Sequence, residues 1–519
     1  MKQFLLVMAL MFAIAIAALD ATVVSTALPT VVGNLGGLSL FSWVFSVYLL
    51  ASTVTVPLYG KLADLYGRKP VLLFGIAVFL IGSVLCGMAG SMLELVIFRA
   101  VQGVGAGAMQ PVTMTIIGDV FSIEQRARIQ GLFSSVWGVT SLSGPAIGGL
   151  LADGLSWRWV FFINLPLGLI AMLFIWRFFQ EKTEKQSHVI DYFGTVLLSG
   201  SVVALLLALL EGGAKYGWLS LETLTLIGVS ALLLVAFIVQ EGRAREPVLP
   251  MWLFRNKVIV MSCATIAVCG GLMFGVSSYV PLFAQGVYGG TAFDAGLIVL
   301  PMSFSWPVAS VIGGRMILRF GYYSAAVTGG ISLVIGALIL LTLSRDAPRE
   351  LAMLAALIVG FGMGFMTSAL IISLQNAVEW RYRGVATGAF QFFRTIGGAI
   401  SVAIMGALLN SNLAGRYADV PGVPAGADSQ TLLNAEARAG LAADVVDGMQ
   451  RALAATLHEV YFIVVVAAVI AFGLALLFPR GSADSLSVSA GGERGEAEAT
   501  AAAASRARGE GRLAPEEGG

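Results

Sequence analysis

Three ionisable residues fall deep inside long apolar runs: Asp20, Arg99 and Arg394. A charge at the centre of a bilayer costs about 2.5 to 3.5 kcal/mol on insertion scales, so each of the three implies a partner or a function. At the rise of an α-helix, Asp20 sits about 10 Å short of Ala27, near the end of its run, and Arg99 about 9 Å past Leu93, where its run begins. The two can therefore share one depth. A neighbouring guanidinium favours the ionised carboxylate and desolvation favours the neutral one, so a pair drawn apart and brought together changes its hold on a proton. The expected chemistry is that Asp20 takes up and releases a proton and, when ionised, attracts a cationic molecule, with Arg99 tuning that exchange. A fixed pair that only orients two helices is the alternative, although a buried pair is weak evidence for stability. Arg394 is expected either to join the coupling or to snorkel toward a membrane face.

The elements that must carry these residues follow from composition. Of 519 residues, 58% are hydrophobic and 12% charged, with a formal net charge of +1. Soluble chains carry about a quarter charged residues, so this is an all-α integral membrane protein with about fourteen spans of about 20 residues and no sizeable soluble domain. The runs lie near 4–28, 41–59, 71–89, 93–116, 130–151, 159–179, 190–210, 222–240, 258–281, 295–313, 323–343, 351–373, 388–409 and 457–478. Cys86, Cys263 and Cys269 all lie in apolar runs and the histidines are His188 and His458, so neither a disulfide framework nor a metal site is expected. Near-neutral charge argues against nucleic acid. Gly60-Lys61 is followed by Leu62, so no phosphate loop is present and no cofactor is implied; a pump of this sequence would draw on a gradient.

Lysines and arginines cluster in alternate loops (Lys61, Arg68 and Lys69; Arg126 and Arg128; Arg315 and Arg319; Arg381 and Arg383), which places both termini in the cytoplasm. The first run carries an Asp and no small-residue cleavage site, so it reads as a retained helix. Asp191 and Asp294 stand where helices start, as N-caps, and Glu94 and Glu459 stand at outer helix mouths. An outer loop is expected over 410–455 and a disordered cytoplasmic tail over 481–519.

The sequence also repeats. Gly60 and Gly67 are spaced like Gly314 and Gly321, and Arg126 and Gly131 like Arg383 and Gly388, at an offset of about 255 residues in both cases. Six spans repeat, so residues 1–180 form one six-helix bundle, 181–250 two inserted helices with flanking loops, and 251–480 a second six-helix bundle.

GKLADLYGRKP from Gly60 resembles the loop signature of the major facilitator superfamily, and the 6 + 2 + 6 layout is similar to that of its 14-helix drug:proton antiporter branch. LDATVVSTALP from Leu19, RAVQGVGAGAMQP from Arg99, GVTSLSGPAIGG from Gly138 and WRWVFFINLPLG from Trp157 resemble further motifs of that branch, in order. The resemblance implies the major facilitator fold and a proton-coupled exporter of hydrophobic or cationic small molecules in a bacterial-type plasma membrane. It implies a gating loop at Gly60, Asp64, Gly67 and Arg68, in which Asp64 faces a helix N-terminus and Arg68 pairs with a carboxylate. It also implies that Gly138, Gly144, Pro145, Gly148 and Gly149 form the antiporter motif of the fifth helix, a bend controlling cavity opening and proton leak. The second loop departs from the signature, with Leu318 where the first has Asp64. Protons, small molecules and membrane lipids are the expected partners, with the chain a monomer that a periplasmic adaptor could extend. Export of lipids or a native metabolite on the same fold, a membrane enzyme, and a sensor or scaffold without transport are the competing readings; two isolated histidines give the enzyme no catalytic cluster.

Overall fold

Apolar runs bounded by cap residues fold into helices throughout the computed structural model, which describes residues 2–36, 40–181, 191–212, 216–244, 247–290, 292–423, 432 and 440–480. The tail expected over 481–519 lies outside the described residues, and no strand occurs among those described. In chain order the helices are α1 (Lys2–Leu35), α2 (Phe41–Tyr66), α3 (Arg68–Met88), α4 (Met92–Val120), α5 (Ile123–Gly154), α6 (Trp159–Phe162), α7 (Asn164–Phe178), α8 (Tyr192–Glu211), α9 (Leu221–Glu241), α10 (Lys257–Leu282), α11 (Ala292–Leu341), α12 (Arg349–Asn376), α13 (Arg383–Ala418) and α14 (Ala443–Leu476). Their starts are chemically explicit. Ser91 accepts the Glu94 N–H, Ser122 and Gln125 close a capping box, and Asp191 accepts the Gly194 N–H at 2.8 Å, as an N-cap carboxylate does.

Eleven helices among the described residues are long and apolar enough to cross a membrane. One of them, Phe293–Leu341, contains a break at Gly321, where φ is 80°. Gly67, which separates α2 from α3, has φ 95°. Both repeat glycines therefore occupy the left-handed region that side chains disfavour, and each turns the chain sharply between two helices. What reads as a loop from Gly60 to Pro70 is helix up to Tyr66 and again from Arg68. Charge in a helix's last turn lowers hydropathy without ending the helix; Gly67 ends it. The outer loop expected over 410–455 is likewise shorter, because α13 continues to Ala418 and α14 begins at Ala443. Asn412 and Arg416 on α13 both bond Glu459 on α14, at 2.6 and 2.5 Å, and hold these extensions together.

The apolar core is built differently along the chain. From α8 onward one continuous cluster runs through α10–α14, with Leu50 and Val56 of α2 joined to it. In α1–α7 there are two clusters instead. One contains Ile16, Phe79, Leu80 and Ala108; the other contains Leu19, Cys86, Val96 and Phe161. Ser83, Arg99 and Gln102 fall between members of the two clusters along α3 and α4, and Asp20 follows Leu19 at the start of the second on α1.

Candidate functional site

The polar layer that divides this core is a closed hydrogen-bonded network. Arg99 Nη1 donates to Asp20 Oδ2 at 2.6 Å, and the pair is almost completely buried, Asp20 being 1% and Arg99 0% exposed. Gln102 Nε2 and Asn164 Nδ2 donate to Asp20 Oδ1 at 2.8 and 3.2 Å. Arg99 also donates from Nη1 to Gln102 Oε1 at 2.8 Å and from Nε to the Val44 carbonyl at 3.2 Å, and its guanidinium lies 4.1 Å from the centre of the Tyr48 ring. Ser83 Oγ receives Gln102 Nε2 and Asn164 Nδ2, at 3.3 and 3.0 Å, and donates to the Phe161 carbonyl at 2.8 Å. Asn164 Oδ1 is enclosed and has no partner. Donors from α4 and α7 thus converge on the α1 carboxylate, and Ser83 of α3 joins the same network through Gln102 and Asn164. Desolvated charge-assisted bonds of this kind are strong but leave little tolerance for a missing partner.

A second charged cluster lies where α2, α4, α12 and α13 end or begin. Arg68, its side chain 2% exposed, donates from Nη2 to Asp64 Oδ1 and from Nε to Asp119 Oδ2, both at 2.9 Å. Nη2 also reaches the Trp380 carbonyl at 2.9 Å, and the guanidinium sits 3.9 Å from the Trp380 ring centre. Asp64 accepts the backbone N–H groups of Gly384 and Val385 at 2.9 and 2.7 Å, so the α2 carboxylate satisfies orphan donors in the first turn of α13. Glu181 does the same for α3, accepting the Arg68 and Lys69 N–H groups, each at 2.9 Å. Gly60 packs its bare Cα against Gly384 and Gly388, a contact that any side chain at Gly60 would block.

This cluster carries the repeat. Arg126 bonds the Phe121 carbonyl of its own half at 2.8 Å and crosses to Asn376 Oδ1 at 3.1 Å. Arg383 bonds the Gln375 carbonyl of its own half at 3.2 Å and crosses to the Gly118 carbonyl at 3.0 Å and Asp119 at 3.3 Å. Tyr322, at the repeat position of Arg68, receives Asn376 Nδ2 at 2.8 Å, and Asn376 stands at the repeat position of Asp119. At these two positions the second copy places an uncharged hydrogen-bonded pair where the first has an ion pair.

Gly60, Asp64, Gly67 and Arg68, expected to form a gating loop, are thus brought together, as are Asp20 and Arg99. On α5, Gly144 packs against Thr22 of α1 and Gly138 against Ser303 of α11, so the motif helix touches both halves of the chain. Gly148 is buried, and the side-chain positions of Pro145 and Gly149 lie outside the described residues. Arg394 joins neither cluster. Sequence patterns left out Gln102, Ser83, Asn164, Asp119, Glu181 and Arg383 as site residues; Gln102 and Asn164 lie inside the RAVQGVGAGAMQP and WRWVFFINLPLG runs, Arg383 inside the repeat, and Asp119 is the sole acid of its helix end.

Residues 10–402 match the Major Facilitator Superfamily. The chain belongs to that family. It is 42% identical over 410 residues to the multidrug transporter protein MdtP of Bacillus subtilis, covering 79% of this chain and 76% of the relative. To multidrug resistance protein 3 of the same organism it is 38% identical over 400 residues, covering 77% and 78%. The crystal structure of the human organic anion transporter MFSD10 superimposes with a TM-score of 0.57 at 13% identity, covering 91% of this chain and 98% of that one, a likeness of fold. This member of the Major Facilitator Superfamily is therefore a multi-pass membrane transporter with multidrug efflux relatives.

Proposed function

We propose that the chain is a proton-coupled exporter of hydrophobic small molecules, working by alternating access in a bacterial-type plasma membrane with both termini cytoplasmic. With α6 and α7 taken as one pass, α11 divided at Gly321 and α5 and α8 included, the chain makes fourteen passes in a 6 + 2 + 6 order as a monomer. The observation that carries this reading is the Asp20 network: one carboxylate, at a level where the apolar core is interrupted, with every bond arranged for its ionised form. A proton on Asp20 Oδ1 cancels the charge that Arg99 answers, and the bond from Asn164 Nδ2 is lost. Rotation of the Asn164 amide then turns its unpartnered Oδ1 toward that proton as an acceptor. Arg99 keeps Gln102, the Val44 carbonyl and the Tyr48 ring, so the tie between α1 and α4 falls from an ion pair to neutral-acceptor hydrogen bonds without leaving a bare cation.

The Arg68 cluster supplies the gate. Its bonds cross between the two halves at one end of the bundle, which the arginine-rich loops assign to the cytoplasm; in this state that end is latched. Opening it requires α13 to give up the Asp64 carboxylate at its N-terminus. The names of MdtP, a multidrug transporter protein, and of multidrug resistance protein 3 supply the substrate precedent. In everted vesicles, adding a transported compound is expected to release protons through the wild-type chain but not through Asp20→Asn. Substrate-driven proton movement that survives Asp20→Asn would overturn the coupling role.

A further inference from the structure

We infer that Arg394 anchors an anionic group of the bound molecule, so that the preferred ligands are amphiphiles ending in a carboxylate or similar anion rather than in an ammonium. This deepens the export reading and rests on it only in taking the bound molecule as cargo; the binding preference stands separately.

Position is the first support. Arg394 lies eleven residues past Arg383, about 16 Å along α13 from its latched end, near the middle of a hydrocarbon core about 30 Å thick. Its backbone carbonyl packs against Gly270 of α10, and one turn or two below it α13 packs on α2 of the other half through Gly388. Transporter ligands bind near the midplane between the halves.

Charge balance is the second. The other deep cation, Arg99, is answered by Asp20. Arg394 has no carboxylate, acceptor or aromatic ring as a partner among the described residues, and its Nε is enclosed without a hydrogen bond. The acids that could answer it are engaged elsewhere. Asp294 faces Arg349, Asp447 pairs with Arg345 and Arg451, Glu459 with Arg416 and Glu379 with Arg381, all toward helix ends. Asp20 has both oxygens occupied and is closed off. One turn before Arg394, Gln391 Oε1 is also buried without a partner, so this stretch of α13 presents polar atoms still to be satisfied. An unanswered cation at this depth is stabilised by an anion and repels a second cation, and a guanidinium can hold a carboxylate by two parallel bonds.

The test uses the purified full-length chain in neutral detergent and three probes with one naphthyl-alkyl body, ending in a carboxylate, a primary amide or an ammonium. Binding is read from quenching of tryptophan fluorescence. The carboxylate is expected to bind about tenfold more tightly than the amide, with the ammonium weakest. Arg394→Gln should bring the carboxylate to the level of the amide, and a wild-type melting temperature and elution volume show that the variant is folded. Arg394→Lys should keep part of the advantage, since it retains the charge but not the fork. Replacing gluconate by chloride at constant ionic strength should leave the order intact. Tightest binding of the ammonium, a carboxylate advantage that persists in Arg394→Gln, or one abolished by chloride, which would mark an inorganic-anion site, would each overturn the inference. A carboxylate preference in a chain that shows no proton-driven flux would leave the anion site standing and remove the export reading.

Discussion

Asp64 of α2 accepts the Val385 backbone N–H of α13 at 2.7 Å, a bond that spans 321 positions of sequence. The same carboxylate takes the Gly384 N–H and pairs with Arg68, so one side chain joins a helix end of the first half to a helix start of the second. Asp64→Ala removes a cap worth about 1 kcal/mol and one partner of a buried pair. The latched state is expected to lose about 1 to 2 kcal/mol against the open one, a shift of roughly 5- to 30-fold in the ratio of the two. Distance measurements between spin labels placed across the latched end check this; an unchanged distribution would show that Asp64 is not a latch.

The two copies of the latch differ in charge but not in place, which allows a matched comparison. Arg68→Gln strips a guanidinium from two carboxylates, leaving Asp64 and Asp119 under-compensated in a buried setting, and is expected to cost about 3 to 5 kcal/mol. Tyr322→Phe removes the hydroxyl that receives Asn376 Nδ2 and is expected to cost about 1 kcal/mol. Thermal melting of the purified variants ranks them; equal losses would show that the charged copy has no special weight.

Much of this arrangement was legible in the sequence, and the misses have physical causes. Asp20 and Arg99 stood out because charge inside an apolar run is costly, and their shared depth followed from helical rise alone. Gln102, Ser83 and Asn164 did not, because uncharged polar residues are ordinary in membrane helices and only the crossing of α3, α4 and α7 brings them to one carboxylate. Asp119, Glu181 and Arg383 lie at helix ends, where charge is expected anyway, so nothing local marks them as one cluster. Hydropathy located the spans but not the helix ends: α2 runs past Gly60 and α14 starts well before its apolar stretch. The paired glycines at 67 and 321 were readable as a repeat, and their positive φ values give the physical reason for it.

Arg99 reaches Asp20, Gln102 and the Val44 carbonyl while lying on the Tyr48 ring, a set that needs a planar fork. Arg99→Lys keeps the charge but cannot make these contacts together. It is expected to lower the melting temperature and slow transport, whereas Tyr48→Phe keeps the ring and should leave both near wild type. Equal behaviour of Arg99→Lys and wild type in both measurements would reduce Arg99 to a simple counter-charge.

Gly144 touches Thr22, two residues from Asp20, and Thr22 Oγ1 in turn bonds the Thr140 carbonyl of α5 at 3.2 Å. A side chain at Gly144 must push α1 away from α5 and disturb the carboxylate beside it. Gly144→Leu is expected to raise passive proton leak in liposomes loaded with a pH-sensitive dye, and Gly144→Ala to do so less. A folded Gly144→Leu chain with wild-type leak would separate this contact from proton control.

Coupling itself is tested by reconstituting the full-length chain in proteoliposomes and following uptake of a fluorescent hydrophobic cargo with and without an imposed proton gradient. Proton-coupled exchange requires cargo to accumulate only when protons run down their gradient in the opposite direction, and accumulation to vanish in Asp20→Asn while equilibration without a gradient continues. Accumulation that ignores the gradient, or that persists unchanged in Asp20→Asn, would contradict a proton-driven exporter centred on Asp20.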